Sequence, residues 1–419
     1  MSTIAKDMKM NITRERIFSF IVFIPYFEGL LSFLNIYIDN AVFRSINLIL
    51  AVIGLILFFY PNGKIKIICS KYKTELFLPL YLILSLLWIN LNWVSWSTLT
   101  WMITPIIFAI IFSTFLIAKK IDILVFLRDC IQNYAVYCFI AVVYGIIKDH
   151  AYIDFSVRLS PPGGGAVIFS YATLIYLVMM FLLNSYFTDK QIILFICLFL
   201  IAILGTESRA AVWPSFLFSA VYIFKASKKS KVMAIFAIFI LLMGIIALFV
   251  LPDILSKVAP RLLRAHDYAR GTSLQGVKWI FSNSSFSNKL FGYGLGNVFQ
   301  YQQWLINVGE GIKAVTDIFF VYKGGIILVQ PHNNYFYYLL ETGVLGVVLF
   351  VAPFIKYIYT SIKYKKIWYF LFIISILFIN CFDSAMIVEP GVSAMIYIFA
   401  FLLYYEITTS KNAKKGKAL

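Results

Sequence analysis

The chain has 419 residues, of which 62% are hydrophobic and 13% are charged, and its formal net charge is +17. A soluble domain carries about a quarter of charged residues. The composition therefore excludes a soluble enzyme with one membrane anchor and indicates that most of the chain lies in lipid.

Apolar segments of membrane-spanning length follow one another along most of the chain. A helix needs about 20 apolar residues to cross the hydrocarbon core of a bilayer. The sequence predicts about twelve such helices, near residues 17–38, 41–60, 75–93, 99–118, 124–147, 166–186, 191–206, 210–225, 232–251, 333–357, 367–382 and 391–406. The expected fold is an all-α polytopic membrane protein with helices 1–9 in residues 1–251, one large loop in 252–330, and helices 10–12 with a basic tail in 331–419.

The basic residues give the orientation of these helices. With the N-terminus inside, most of the 36 basic residues fall in cytoplasmic connections, as the positive-inside rule requires, and both termini are cytoplasmic. The large loop is then on the outer side, and its helical spacing over 259–270 and 274–281 predicts that it is partly helical.

Arginines are concentrated on the predicted outer side, against the topological trend. They are Arg158, Arg209, Arg261, Arg264 and Arg270. Binding of a phosphate-bearing ligand would explain them, and so would arginine side chains that reach outer-leaflet headgroups. Arginine forms bidentate contacts with phosphate, and the start of a helix favours anions, so Arg158, Arg209 and His332 before inward-running helices fit a pyrophosphate.

Other segments on that side have both a functional and a structural interpretation. Gly292, Gly294 and Gly296, around Tyr293, resemble a phosphate-binding turn but fit a structural turn as well. The Pro-Pro-Gly-Gly-Gly run at 161–165 can simply start a turn, and Ser208 can be only a helix cap. His332 and Asn333 open the tenth helix, and His332 is either functional or an interfacial residue. Glu341, inside that helix, is either functional or paired with a loop arginine.

Taken in order, these segments resemble the O-antigen ligase and polymerase superfamily of bacterial envelope glycosyltransferases. The resemblance is carried by Gly205–Ala210, by Phe291–Asn297, and by Pro331-His332-Asn333 followed by Leu340–Gly346. It implies a GT-C-like membrane fold and a metal-independent, inverting transfer of a glycan from undecaprenyl pyrophosphate to a sugar hydroxyl. It also implies a periplasmic active site at the bacterial inner membrane, with lipopolysaccharide biosynthesis as the setting.

The resemblance assigns roles to particular residues. His332 and Arg209 are expected to be catalytic, with His332 as the base that orients or deprotonates the acceptor hydroxyl. The residues expected to bind the pyrophosphate or substrate are Arg158, one or more of Arg261, Arg264 and Arg270, and also Tyr293, Asn333 and Glu341. Neither a metal nor a cofactor is expected. Besides the lipid-linked donor, the expected partners are an acceptor glycan, membrane lipids and a chain-length regulator, with no nucleic acid.

Three activities are compatible with these features of the sequence. A polymerase, the preferred interpretation, would transfer the glycan to another lipid-linked repeat unit, whereas an O-antigen ligase would transfer it to lipid A–core. A polysaccharide flippase or transporter is the third, although two similar halves and charges inside many helices would be expected of it.

Overall fold

The computed structural model describes residues 14–19, 72–88, 93–148, 158–161, 165–228, 230–238, 277–295, 319–322, 325–328, 333–382 and 390–414. The labelled helices of these ranges are α1 (Lys73–Ser85), α2 (Trp93–Ala118), α3 (Ile123–Lys148), α4 (Ala166–Leu182), α5 (Asp189–Gly205), α6 (Arg209–Ser227), α7 (Phe286–Phe291), α8 (Asn334–Lys363), α9 (Ile367–Ile379) and α10 (Pro390–Lys414). Residues 14–19, 231–238 and 277–283 are also helical.

The helices lie where the hydrophobic pattern predicts them between residues 73 and 227 and from residue 334 onward. Within the described ranges, four are long and apolar enough to cross a membrane: Ile123–Lys148, Arg209–Ser227, Asn334–Lys363 and Val392–Thr409. The helical fold is thus confirmed, and these four helices are consistent with a membrane protein. The spans predicted at 17–38, 41–60 and 232–251 lie largely outside the described residues, so the count of twelve stays a prediction.

The partly helical 252–330 loop also contains a short pair of strands. β1 (Phe319–Tyr322) and β2 (Gly325–Leu328) pair antiparallel, with Tyr322 opposite Gly325. Both strands are rich in aromatic or β-branched residues, which favour extended backbone. They belong to the 252–330 loop, which is also helical at 277–283 and in α7.

Aromatic contacts establish the relative directions of the helices. Near the end of α4, the Phe181 ring stacks on Tyr222, near the end of α6, with centroids 4.5 Å apart. The same ring lies 5.1 Å from Trp368 at the start of α9. α4 and α6 therefore end where α9 begins, and α8 begins where α9 ends, because the Asn334 N–H donates to the Asn380 carbonyl over 2.9 Å.

Two ends of the helix bundle follow from these directions. One end, called the arginine end, holds Arg158, the start of α6 at Arg209, the start of α8 at Asn333 and the end of α9. The opposite end, called the lysine end, holds the ends of α4, α6 and α8. α3 starts there as well, since it runs antiparallel to α4. Tyr134 stacks on Tyr176 with ring centroids 3.8 Å apart, and Tyr137, further along α3, packs 5.9 Å from Phe169, near the start of α4.

Basic residues of the described ranges are concentrated at the lysine end. They include Lys119, Lys120, Arg128, Lys190, Lys225, Lys228, Lys356, Lys363, Lys365 and Lys366. The segregation matches the alternation of charge that the sequence shows between successive connections.

Candidate functional site at the arginine end

Arg158 lies against the C-terminal end of α5. Its Nε donates to the Thr206 carbonyl oxygen over 2.7 Å, and the next residue, Leu159, donates its N–H to the Gly205 carbonyl, also over 2.7 Å. The last carbonyls of a helix have no partners within it and carry a partial negative charge. The segment 158–161 thus satisfies two of these groups, and Arg158 brings a positive charge to this point.

Arg209 lies on the other side of the same turn. The turn reverses the chain between α5 and α6 through Glu207, whose φ of +52° is left-handed. The Ser208 N–H donates to the Thr206 hydroxyl over 3.3 Å, and the Ser208 carbonyl accepts from the first turn of α6. Arg209 is the first residue of α6, so it lies three residues after Thr206, whose carbonyl holds Arg158.

The start of α8 is fixed by asparagines at the same end. The Asn333 side chain accepts from the Phe336 N–H over 3.1 Å and donates to the Cys381 carbonyl over 2.9 Å. Asn334 is fully buried and its amide nitrogen donates to the side-chain oxygen of Asn380. Asn333 is thus a helix cap tied to the end of α9. The sequence pointed to Asn333 but offered no reason to select Asn380.

Gly343 interrupts α8 near its first third. Its φ of +67° and ψ of −170° are non-helical, so the carbonyls just before it lose their regular helical partners. Two N–H groups of the loop replace them. Tyr293 donates to the Leu340 carbonyl and Gly294 donates to the Glu341 carbonyl, each over 2.9 Å.

The loop segment 291–294, called the glycine turn, fits into this break because two glycines meet there. A Cβ at Gly292 would overlap the backbone of Glu341 and Thr342, and a Cβ at Gly343 would overlap the backbone of Gly292. Both have φ in the left-handed region, which glycine adopts without strain. The N–H groups of Tyr293 and Gly294 are engaged by α8, which favours the structural interpretation of this motif over a phosphate-binding turn.

Tyr81 of α1 closes the break from a third side. Its hydroxyl lies 2.8 Å from the Thr342 carbonyl oxygen and 3.1 Å from that of Phe291. One hydroxyl has a single proton to donate, so the two carbonyls share it. No sequence pattern points to Tyr81, because both of its partners are backbone atoms far away in the chain.

The other predicted binding residues of α8 and the loop divide into two groups. Glu341 is 1% exposed and borders the break in α8, and the Tyr293 hydroxyl is hydrogen-bonded with Ser284. His332, Arg261, Arg264 and Arg270 lie outside the described residues.

Among the described residues, no group of three or more His, Cys, Asp or Glu is placed to hold a metal ion. Since His332 and most of the loop lie outside that part of the chain, metal independence stays a prediction. Comparison with protein-family models and with curated proteins finds no match to the chain.

Proposed function

We propose that the chain is a membrane glycosyltransferase that polymerises undecaprenyl-pyrophosphate-linked oligosaccharide repeat units on the periplasmic face of the bacterial inner membrane. The observation that carries the proposal is the convergence of Arg158 and Arg209 on the 206–208 turn, at the end of the bundle where Asn333 starts α8. Two arginines beside one turn suit a diphosphate, because guanidinium groups donate bidentate hydrogen bonds to phosphate oxygens.

The distribution of charge supports the orientation. If the lysine end faces the cytoplasm, as the positive-inside rule favours, the arginine end faces the periplasm. A lipid-linked pyrophosphate would then meet Arg158 and Arg209 near the membrane surface. The loop arginines Arg261, Arg264 and Arg270 belong to the same proposed binding surface.

The proposed chemistry needs charge neutralisation more than acid catalysis. A pyrophosphate is already a good leaving group, and the negative charge that develops as the glycosidic bond breaks is stabilised by fixed cations. Arg158 is held by the Thr206 carbonyl, so its guanidinium does not have to reorganise during the reaction. In this mechanism His332 takes the proton of the acceptor hydroxyl, which attacks with inversion, and neither a metal nor another cofactor takes part.

Reconstitution in liposomes tests the proposal directly. The purified protein is incubated with an undecaprenyl-pyrophosphate-linked oligosaccharide, with and without lipid A–core, and the products are sized by mass spectrometry. Lengthened lipid-linked chains are the expected product. Transfer to lipid A–core would instead indicate a ligase, and passage of the donor across the bilayer without transfer would indicate a flippase.

The matched variants Arg209→Ala and Lys225→Ala remove one positive charge from opposite ends of the same helix, α6. Only Arg209→Ala is expected to abolish polymer formation. Full activity of Arg209→Ala at normal expression, or equal losses in both variants, would contradict the proposed site.

A further inference from the structure

The break in α8 divides this helix into two parts with different supports. The first part, residues 334–342, is joined to α9 at its beginning through Asn334 and Asn380. At its end it meets the glycine turn and Tyr81. The second part continues to Lys363 at the lysine end. The position of residues 334–342 therefore depends on contacts at both of their ends.

The contacts at the break fix the position of the glycine turn relative to α8. The N–H groups of Tyr293 and Gly294 are directed at carbonyls that Gly343 has released from the helix, and unsatisfied carbonyls in an apolar surrounding are costly. The backbone contact between Gly292 and Gly343 is close enough to exclude a single added methyl group. The turn consequently has one way to fit, and residues 277–295 of the loop are attached to the bundle at this point.

Tyr81 joins the glycine turn and the first part of α8 to the rest of the bundle. The hydroxyl contacts one carbonyl on each side of the junction, Phe291 in the turn and Thr342 in α8. The helix that carries it is itself anchored six residues earlier, where Glu75 pairs with Lys356 over 3.0 Å. Because α1 is held to the second part of α8, Tyr81 connects that part to the first part and to the loop.

We propose that Tyr81 is a positioning residue, which holds the glycine turn in the break of α8 and thereby sets the position of residues 334–342 and of the Asn333 cap. The consequence for catalysis rests on the proposed function, since those residues start at the arginine end beside the proposed donor site. Tyr81 acts through α8 and touches no reacting atom in this proposal. It couples the loop to the bundle, so that a displaced turn displaces the start of α8.

Hydrogen–deuterium exchange of the full chain in detergent tests the coupling without any assay of activity. Tyr81→Phe removes one hydroxyl and leaves the ring, and it is expected to raise exchange in peptides covering 288–295 and 334–342 about tenfold, the effect of losing one buried hydrogen bond. Tyr72→Phe, beside the other end of α1, removes the hydroxyl that donates to the Phe401 carbonyl over 3.3 Å. That variant should leave both peptides unchanged.

A second pair of variants tests the same contact, so that the conclusion does not depend on the Tyr81 substitution alone. Gly292→Ala places a Cβ where the α8 backbone lies and should raise exchange in the same two peptides. Gly165→Ala is the control, because a Cβ there would meet only a side-chain carbon of Ile168 at 3.8 Å. Unchanged exchange in both Tyr81→Phe and Gly292→Ala would overturn the proposal.

Kinetics in the liposome assay then test the consequence for the reaction. Tyr81→Phe should lower kcat about tenfold with the KM of the lipid-linked donor unchanged, because the donor site at Arg158 and Arg209 is left intact. Raised exchange with unaltered kcat would refute the positioning role. The variants could show the expected changes in exchange while the wild-type protein transfers no glycan at all. In that case the proposed function fails, and the role of Tyr81 in holding the turn stands.

Discussion

The Nε atom of Arg158 lies 2.7 Å from the carbonyl oxygen of Thr206, so this guanidinium is held at the end of α5 by a main-chain group. Such an anchor orients the remaining nitrogens of the group before any ligand arrives. Lysine can supply the charge at this position but has no Nε atom to bind the carbonyl while the terminal group faces a ligand.

Replacement of Arg158 by lysine separates the anchor from the charge. We expect Arg158→Lys and Arg158→Ala to lower polymerisation to similar extents, about tenfold or more, because a charge-assisted hydrogen bond contributes about 1.5–3 kcal/mol. Turnover of the lipid-linked donor in liposomes is the measurement.

Arg128→Lys provides the control at the lysine end. There the Arg128 guanidinium donates to the Asp129 carboxylate over 2.7 Å and 2.9 Å. A lysine keeps that ion pair, so turnover should not change. Wild-type turnover in Arg158→Lys would show that the charge alone matters and that the anchor at Thr206 has no role.

The two ends of the bundle should lie on opposite sides of the membrane. In a chain whose native cysteines are replaced, we expect a membrane-impermeant maleimide to label Ser287→Cys in intact spheroplasts and Lys363→Cys only after lysis. Both positions are exposed, the first in α7 and the second at the end of α8. The opposite labelling pattern, or equal labelling of both cysteines, would contradict the orientation and place the arginine end away from a periplasmic substrate.

Structure is predicted best from the sequence where the residues of one segment are enough to determine its conformation. α3 was expected at 124–147 and is found at Ile123–Lys148, since a long apolar run has few alternatives to a helix in lipid. α4 ends at Leu182 rather than 186, because residues 184–186 form a short 3₁₀ turn and Thr188 with Gln191 forms a capping box for α5. A hydropathy profile averages over many residues, so it does not resolve short turns and helix caps of this kind.

The candidate site was predicted only in part for a related reason. The sequence indicates Arg209 as a candidate because Ser208 precedes a helix at a recognisable boundary. Tyr81 was missed because its partners are main-chain carbonyls, and those carbonyls become available only when α8 breaks at Gly343 and the loop returns to it. Residues 210 and 261 positions apart carry no local signal of such a contact.

Glu75 and Lys356 form a buried ion pair whose loss should be costly. The Glu75 side chain is 1% exposed and that of Lys356 is 23% exposed, with the ammonium 3.0 Å from one carboxylate oxygen. The Tyr357 hydroxyl donates to the same oxygen, and the Lys356 ammonium lies 4.5 Å from the centroid of the Tyr404 ring. The pair therefore joins α1, α8 and α10 near the lysine end.

Removing one member of this pair should destabilise the protein more than removing both. We expect Lys356→Met to lower the free energy of unfolding by about 3 kcal/mol, because it leaves a buried carboxylate without its cation. In the double variant Glu75→Gln, Lys356→Met, the neutral amide still accepts from Tyr357, so most of the loss should be recovered. Thermal unfolding in detergent measures both changes, and additive losses would show that the two side chains do not interact.

The asparagine that opens α8 makes two separable hydrogen bonds, and two substitutions distinguish them. Asn333→Asp keeps the acceptor for the Phe336 N–H and adds a negative charge that the helix start favours, but it loses the donor to the Cys381 carbonyl. Asn333→Ala loses both bonds. We expect the alanine variant to be less stable than wild type by about 1–2 kcal/mol, the usual cost of removing a helix cap together with a further hydrogen bond. The aspartate variant should fall between the two in thermal unfolding. An alanine variant as stable as the wild-type protein would mean that Asn333 does not fix the start of α8.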